Sequence, residues 1–260
     1  MQEVIKFRLK GASAIFRKPE SNNIYFTYNN VHKIIILGIL GSIIGENGYN
    51  YNMLFKDKAK ELPEFYKNLS NIKIAVKPNT YSGSFVKGMQ SFNNSVGYAN
   101  INDKVPTTLI VDEQWLENPS WDIYILGNET EQYEKIKEYL INQKCEYIPY
   151  LGKNDHFADI SEVEILNADR VEDVKRVKKI NSIFCDIEFE RIKEIDLAAF
   201  IKPKSSSENK FIFKEVMPTK LDSVLGYIDY KEFVFTNYDL DIKESTDQLY
   251  QLNNEIMFFF

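Results

Sequence analysis

His32 and His156, with Cys145 and Cys185, are all the imidazole and thiol this chain of 260 residues offers. Two cysteines are too few for a four-thiolate zinc site or a disulfide framework. No His/Asp/Glu group has ligand spacing and no Ser-His-Asp system can be picked out, so neither a metal nor a cofactor is expected. The chain is rich instead in cations, amides and aromatics. Lys6, Arg8 and Lys10 alternate along "VIKFRLKG", and Arg17 and Lys18 follow at a turn before Pro19. Together they could neutralise several phosphates, contacts that position a nucleic acid without reading its bases. Asn30, His32 and Lys33 stand where a helix would begin, and free N–H groups and the helix dipole there favour an anion. Phe85, Met89 and Phe92 mix with Lys87, Asn93 and Asn94, a set that can stack on bases and bond their edges and sugars. In "GKNDHF", Gly152 would let a phosphate come close to the backbone and Lys153 adds charge, beside Asn154 and His156. Each group also has a plainer reading: a solvated strand face, a capping histidine, a hairpin tucked onto its own domain, an ordinary turn.

Several elements must position these residues. In "VIKFRLKG", Ile5, Phe7 and Leu9 point one way and the cations the other, as in a half-buried strand. "VHKIIILGILGSIIG" reads as a core helix over 31–45, with Asn29 or Asn30 available as N-cap. Its Gly38, Gly41 and Gly45 fall on one stripe, which predicts close approach to a neighbouring layer, expected to be a sheet. "NIKIAVKP" alternates again, with Ile72, Ile74 and Val76 inward. "NTYSGSFVKGMQSFNNSVGYANINDKVP" holds one acidic residue and no sustained period; a loop of that length inside a compact domain is uncommon and usually functional. "TTLIVDEQWL" and "WDIYILG" read as strands, "ETEQYEKIKEYLINQ" as a helix with Tyr133, Ile136 and Leu140 inward, and "SEVEILNA" as a strand.

The order β-α-β-β-α-β predicts an α+β fold: a ferredoxin-like domain over 1–168, with its helices on one sheet face and Lys6, Arg8 and Lys10 on a free one. A thumb hairpin is expected at about 78–107, and a smaller β-rich region over 169–260 around "KPKSSSENK".

The net charge of −6 hides a polarity: residues 1–111 hold 14 Lys or Arg against 7 Asp or Glu, and residues 112–260 hold 18 against 31. Such asymmetry predicts one face for an anionic partner and another for a basic protein neighbour. The longest apolar run is uncharged only from Ile34 to Ile44, where a membrane span needs about 20 residues, so no membrane partner is expected. The amino terminus has no cationic stretch leading into a cleavable apolar one, and the expected location is cytoplasmic.

The stretches "YFTYNNVHKIIILGILGSIIG", "FNNSVGY" and "YIPYLGKNDHFADI", on this order of elements, resemble the Cas-five family of CRISPR-associated proteins, most of all its subtype I-B branch. The likeness spans the first 160 residues; after 170 only the general character is shared. It implies a RAMP-type (RRM-like), non-catalytic subunit of a type I Cascade complex in antiviral defence. Such a subunit grips the 5′ handle of the CRISPR RNA, contacts the large subunit and the adjacent backbone subunit, and lays its thumb beside the guide. Target DNA near the PAM end is a further candidate partner. One branch of the family trims precursor RNA as a metal-independent endoribonuclease, through Tyr, Lys and His. Here the two histidines fall on different elements, so that activity is the second expectation. A protein-interaction module that binds no nucleic acid is the third.

Overall fold

The structure, a computed structural model, describes residues 1–20, 24–55, 61–95, 108–191, 209–223, 226–243 and 246–260. The tip of the expected thumb, 96–107, and most of "KPKSSSENK" lie outside them. The fold is mixed α+β and rich in strands. In chain order come β1 (Gln2–Lys10), β2 (Ser13–Ala14), β3 (Ile24–Tyr25), α1 (Lys33–Ile44), α2 (Tyr49–Phe55), α3 (Glu64–Leu69) and β4 (Ile74–Pro78). Next are β5 (Lys87–Ser95), β6 (Thr108–Glu117), β7 (Ser120–Leu126), α4 (Glu131–Ile141), β8 (Asp159–Arg170) and β9 (Phe189–Arg191). Then follow β10 (Ile212–Asp222), β11 (Gly226–Thr236), β12 (Leu240–Ile242), β13 (Leu249–Leu252) and β14 (Glu255–Phe258).

The main sheet has the order β14-β13-β8-β1-β7-β4, with β1 antiparallel to β7 on one side and β8 on the other. Strand alternation sends Ile5, Phe7 and Leu9 of β1 into the main core, where they join Ile36, Leu37 and Leu40 of α1 and Ile136 of α4. Thr130 caps α4 by accepting the Tyr133 N–H at 3.3 Å, and Tyr133, Ile136 and Leu140 form its buried stripe. In α1, Gly38 and Gly41 of the glycine stripe face another helix rather than the sheet, while Gly45 abuts Glu146. A Cβ on Gly41 would lie 2.5 Å from the Phe65 Cβ of α3, and one on Gly38 would touch the same ring. The sequence pattern told of a close approach but not of which neighbour makes it.

The other face of the sheet is not free. Val4, Tyr124, Leu126 and Ala168 point into a second apolar cluster with Tyr250, Leu252, Met257 and Phe259 from the end of the chain. The sheet curls to make this possible. β13 pairs with β8, while Phe260 exchanges backbone hydrogen bonds with Ile74 of β4 at 2.9 and 3.2 Å, so the carboxy-terminal strands bridge the two sheet edges. The expectation of an open binding face therefore fails where these strands cover it. Burial of these eight side chains, all under 10% exposed, is favourable there at about 25 cal/mol per Å² of apolar surface.

β6 organises a smaller sheet, with β5 as its hairpin partner and β2 and β3 along its other edge. The β10–β11 hairpin packs beside α1 and joins the main core through Met217, Leu221 and Phe233. Residues on both sides of position 168 thus share one apolar core.

Candidate nucleic-acid interface

The β5–β6 hairpin fixes which candidate side chains share a face. Opposed pairs in its register are Met89 with Gln114, Asn93 with Ile110, and, on the other face, Gln90 with Glu113 and Phe92 with Val111. Met89 and Ile110 are 52% and 68% exposed, and Asn93, opposite Ile110, is exposed as well. Lys87, on the same face, is held near the Thr27 carbonyl at 3.5 Å, and partial burial pulls its ammonium pKa down. Of Asn94 only the backbone is described.

The second face closes on the base of the hairpin around Glu113, which is fully buried. Lys153 donates to both of its carboxylate oxygens at 3.0 and 2.8 Å and lies 5.5 Å from the Phe92 ring centre. His156 Nδ1 sits 2.6 Å from Ser13 Oγ, and its Nε2, buried without a partner, is 3.9 Å from Glu113. Gly152 brings the loop here: at φ +93 it passes so close to β2 that a Cβ would fall 1.7 Å from the Ile15 carbonyl oxygen. The glycine expected to admit a phosphate instead admits this chain's own backbone. Tyr25, opposite Glu113 on β3, carries the Arg17 guanidinium 3.7 Å above its ring. Asn154 is exposed at the turn.

The remaining candidates lie elsewhere, and each has partners within the chain. Lys6 pairs with Glu164 at 3.1 Å, Arg8 with Asp122 at 2.9 Å and with Glu162, and Lys10 with Asp159 at 3.3 Å. Every cation of the β1 face meets an acid from β7 or β8, so the basic and acidic halves of the sequence interleave in space instead of forming two faces. Asn30 is buried, accepting from Trp121 Nε1 at 3.2 Å, and Phe85 packs edge-on to the same indole at 5.0 Å. The anion position before α1 is filled by the Glu215 carboxylate of β10, which accepts from the Asn29 and Asn30 N–H groups at 2.8 and 3.1 Å. Lys18 approaches that carboxylate at 3.8 Å. Asn29 spends its side chain on Gly83 and Phe85, so the residue at the N-cap is His32, with no side-chain cap bond. Lys33 donates to the Phe260 carbonyl at 3.1 Å, and burial with Lys73 nearby brings its pKa down to about 8.

His32 is 1% exposed, wedged edge-on between Tyr28 and Tyr227 at 5.3 and 5.0 Å, with neither ring nitrogen bonded. Burial lowers its pKa from 6.5 to about 3. The unfolded chain protonates this imidazole below pH 6.5 while the folded chain holds it neutral, so the stability it contributes is complete above that pH and lost as pH falls toward 3. At pH 5 the loss is about 2 kcal/mol. Urea unfolding of the wild type is expected to weaken between pH 7 and 5, and a His32→Leu variant to lose that part of the slope.

Sequence reading missed Tyr25, Ser13 and Glu113, whose partners are distant in the chain. It also missed that Tyr147, Ile148, Tyr150 and Phe157 of the "EYIPYLGKNDHF" loop are exposed; four large apolar groups in a turn-rich stretch were the available signal. As chemistry, the Glu113 cluster is a brace. Its lysine is neutralised, and a general base must reach its proton, whereas His156 is only 7% exposed. Its rim differs: Arg17 on Tyr25 and Phe92 beside Lys153, like Met89, Asn93 and Ile110 on the opposite face of the hairpin, are groups that suit flat bases and sugar edges.

Among the described residues no helix is long and apolar enough to cross a membrane, and no group of three His, Cys, Asp or Glu could hold a metal ion. No family model and no curated protein matches the sequence. A CRISPR protein from Archaeoglobus fulgidus aligns over 98% of both chains at 10% identity, with a TM-score of 0.47. The fold is similar to that of a chain in a CRISPR RNA-guided surveillance complex, with TM-score 0.51, 13% identity and 91% of each chain covered.

Proposed function

We propose that the chain is a non-catalytic RNA-binding subunit of a CRISPR effector complex of the Cascade type. In this reading it is a Cas-five protein of the I-B branch that holds the 5′ handle of the CRISPR RNA and contacts the large and backbone subunits. The observation that carries it is the β5–β6 hairpin and its neighbour β3, which present a guanidinium–tyrosine stack on the Glu113 face and an exposed thioether and amide on the other face. The sheet order β8-β1-β7-β4, threaded by α1 and α4, supports a ferredoxin-like unit. The likeness to a chain of an RNA-guided complex agrees with the stretches that resemble the family. The buried aspect of His156 and the neutralised Lys153 favour holding RNA over cutting it.

Co-expression with candidate partner subunits and a repeat-containing transcript tests this. The purified assembly is expected to carry RNA, seen as excess absorbance at 260 nm, and to leave repeat RNA uncut in EDTA. A protein-only spectrum from an intact assembly would contradict RNA binding, and handle-sized products would favour the endoribonuclease.

A further inference from the structure

Among the described residues the β10–β11 hairpin has no third strand, only a single bridge to Phe184, and its two halves are held in different ways. The inner half is anchored by charge and backbone. Glu215 accepts the Asn29 and Asn30 N–H groups, and Val234 exchanges hydrogen bonds with Phe184 at 2.7 and 2.9 Å. The outer half, 218–222 with 226–230, has lighter fastenings. Leu221 is buried and its N–H donates to Tyr66 Oη at 3.0 Å, while the Tyr227 ring closes edge-on against His32. Lys220 and Asp229, paired at 2.9 Å, tie its two strands to each other rather than to the body, so this half can lift as one piece.

What it closes over is ill suited to a positive charge. His32 stands at the N-cap of α1, where the helix dipole opposes a cation. Its ring is flanked by Tyr28, which precedes α1, and by Tyr227 of β11. Tyr230, Glu20 and Lys18 are set about Tyr28, and Tyr49 of α2 and Tyr66 of α3 lie near Tyr227. Glu215 is committed to Asn29 and Asn30, and Lys33 to the Phe260 carbonyl. Among the described residues, then, no carboxylate pairs with this imidazole, and neither ring nitrogen has a partner. Protonated, the ring needs the water that the closed hairpin denies it.

We propose that the outer half of the β10–β11 hairpin is an acid-operated lid: protonation of His32 lifts it from the first turn of α1 while the inner half stays seated. The Glu215 anchor does not weaken in parallel, because burial raises its carboxyl pKa and a proton there favours the folded form. Opening bares the amino-terminal end of α1 and the Tyr66 hydroxyl at mildly acidic pH.

Hydrogen exchange of the full chain, read residue by residue as protection factors at pH 7 and pH 5, tests this. With an imidazole that takes its proton at 6.5 when uncovered and at about 3 when covered, lid opening rises about 25-fold over that interval. Protection of 219–222 and 227–230 is expected to fall by that factor, while 212–215 and 233–236 hold theirs. His32→Leu is expected to abolish the fall. Should that variant not fold, Tyr227→Ala decides: with the ring contact gone, the outer half is weakly protected at both pH values and the difference between them vanishes. A pH-independent outer half, an equal fall in both halves, or a fall that persists in the folded variant overturns the lid. RNA and the β5–β6 hairpin play no part in it, so this proposal and the preceding one can fail separately.

Discussion

Substituting Gly152 by alanine is expected to cost about 3–5 kcal/mol of folding stability, the range of a forced left-handed residue combined with a backbone clash. The added methyl would sit 1.7 Å from the Ile15 carbonyl oxygen, and a carbonyl in the backbone beside β2 cannot turn aside as a side chain would. The φ of +93 independently disfavours any L side chain. Displacing this turn also pulls Lys153 and His156 from Glu113, leaving a carboxylate buried without its cation, itself strongly destabilising. Thermal or urea unfolding reads the effect. Asn154→Ala, two residues on and exposed, should stay within about 0.5 kcal/mol of wild type. Equal stability of the two variants would mean that the loop is not seated on β2.

The largest functional effect is expected from Arg17→Glu combined with Met89→Glu. Stacking contacts are worth about 1–3 kcal/mol each, so losing the guanidinium platform and the thioether together should cut RNA retention by about 1.5 to 4 orders of magnitude. Charge reversal at Arg17 should also flatten the salt dependence of release, because one fewer counterion is displaced. Lys18 is the wrong residue to reverse: a glutamate there would face the buried Glu215 carboxylate, and instability would mimic lost binding. Lys10→Glu is the control. Lys10 is paired with Asp159 on the sheet face, so its reversal should leave RNA content unchanged as salt is raised.

Much of the main sheet was legible because strand alternation and helical stripes are local. Ile5, Phe7 and Leu9 are fully buried, and Tyr133, Ile136 and Leu140 form one buried stripe. The covering of the opposite face was not legible, because it depends on Phe259 and Phe260 returning to β4 from the far end of the chain. The cationic strand misled for the same reason. Its neutralising acids, Asp122, Glu162 and Glu164, arrive from β7 and β8, and composition cannot show which charges become neighbours. Asn30, His32 and Phe85 had the right residue types for an interface but were claimed by Glu215, by two tyrosine rings and by Trp121. Within "GKNDHF", Lys153 and His156 turn toward Glu113, which offers Lys153 a buried partner, while Asn154 stays exposed and the unremarked Phe157 faces outward.

Ultraviolet crosslinking of the RNA-loaded assembly, with adducts located by mass spectrometry, examines the hairpin assignment most directly. Adducts are expected on Tyr25, Met89 and Phe92, with none on Tyr124 or elsewhere along the closed sheet. Adducts confined to other surfaces of this chain, in an assembly that still holds its guide, would contradict it.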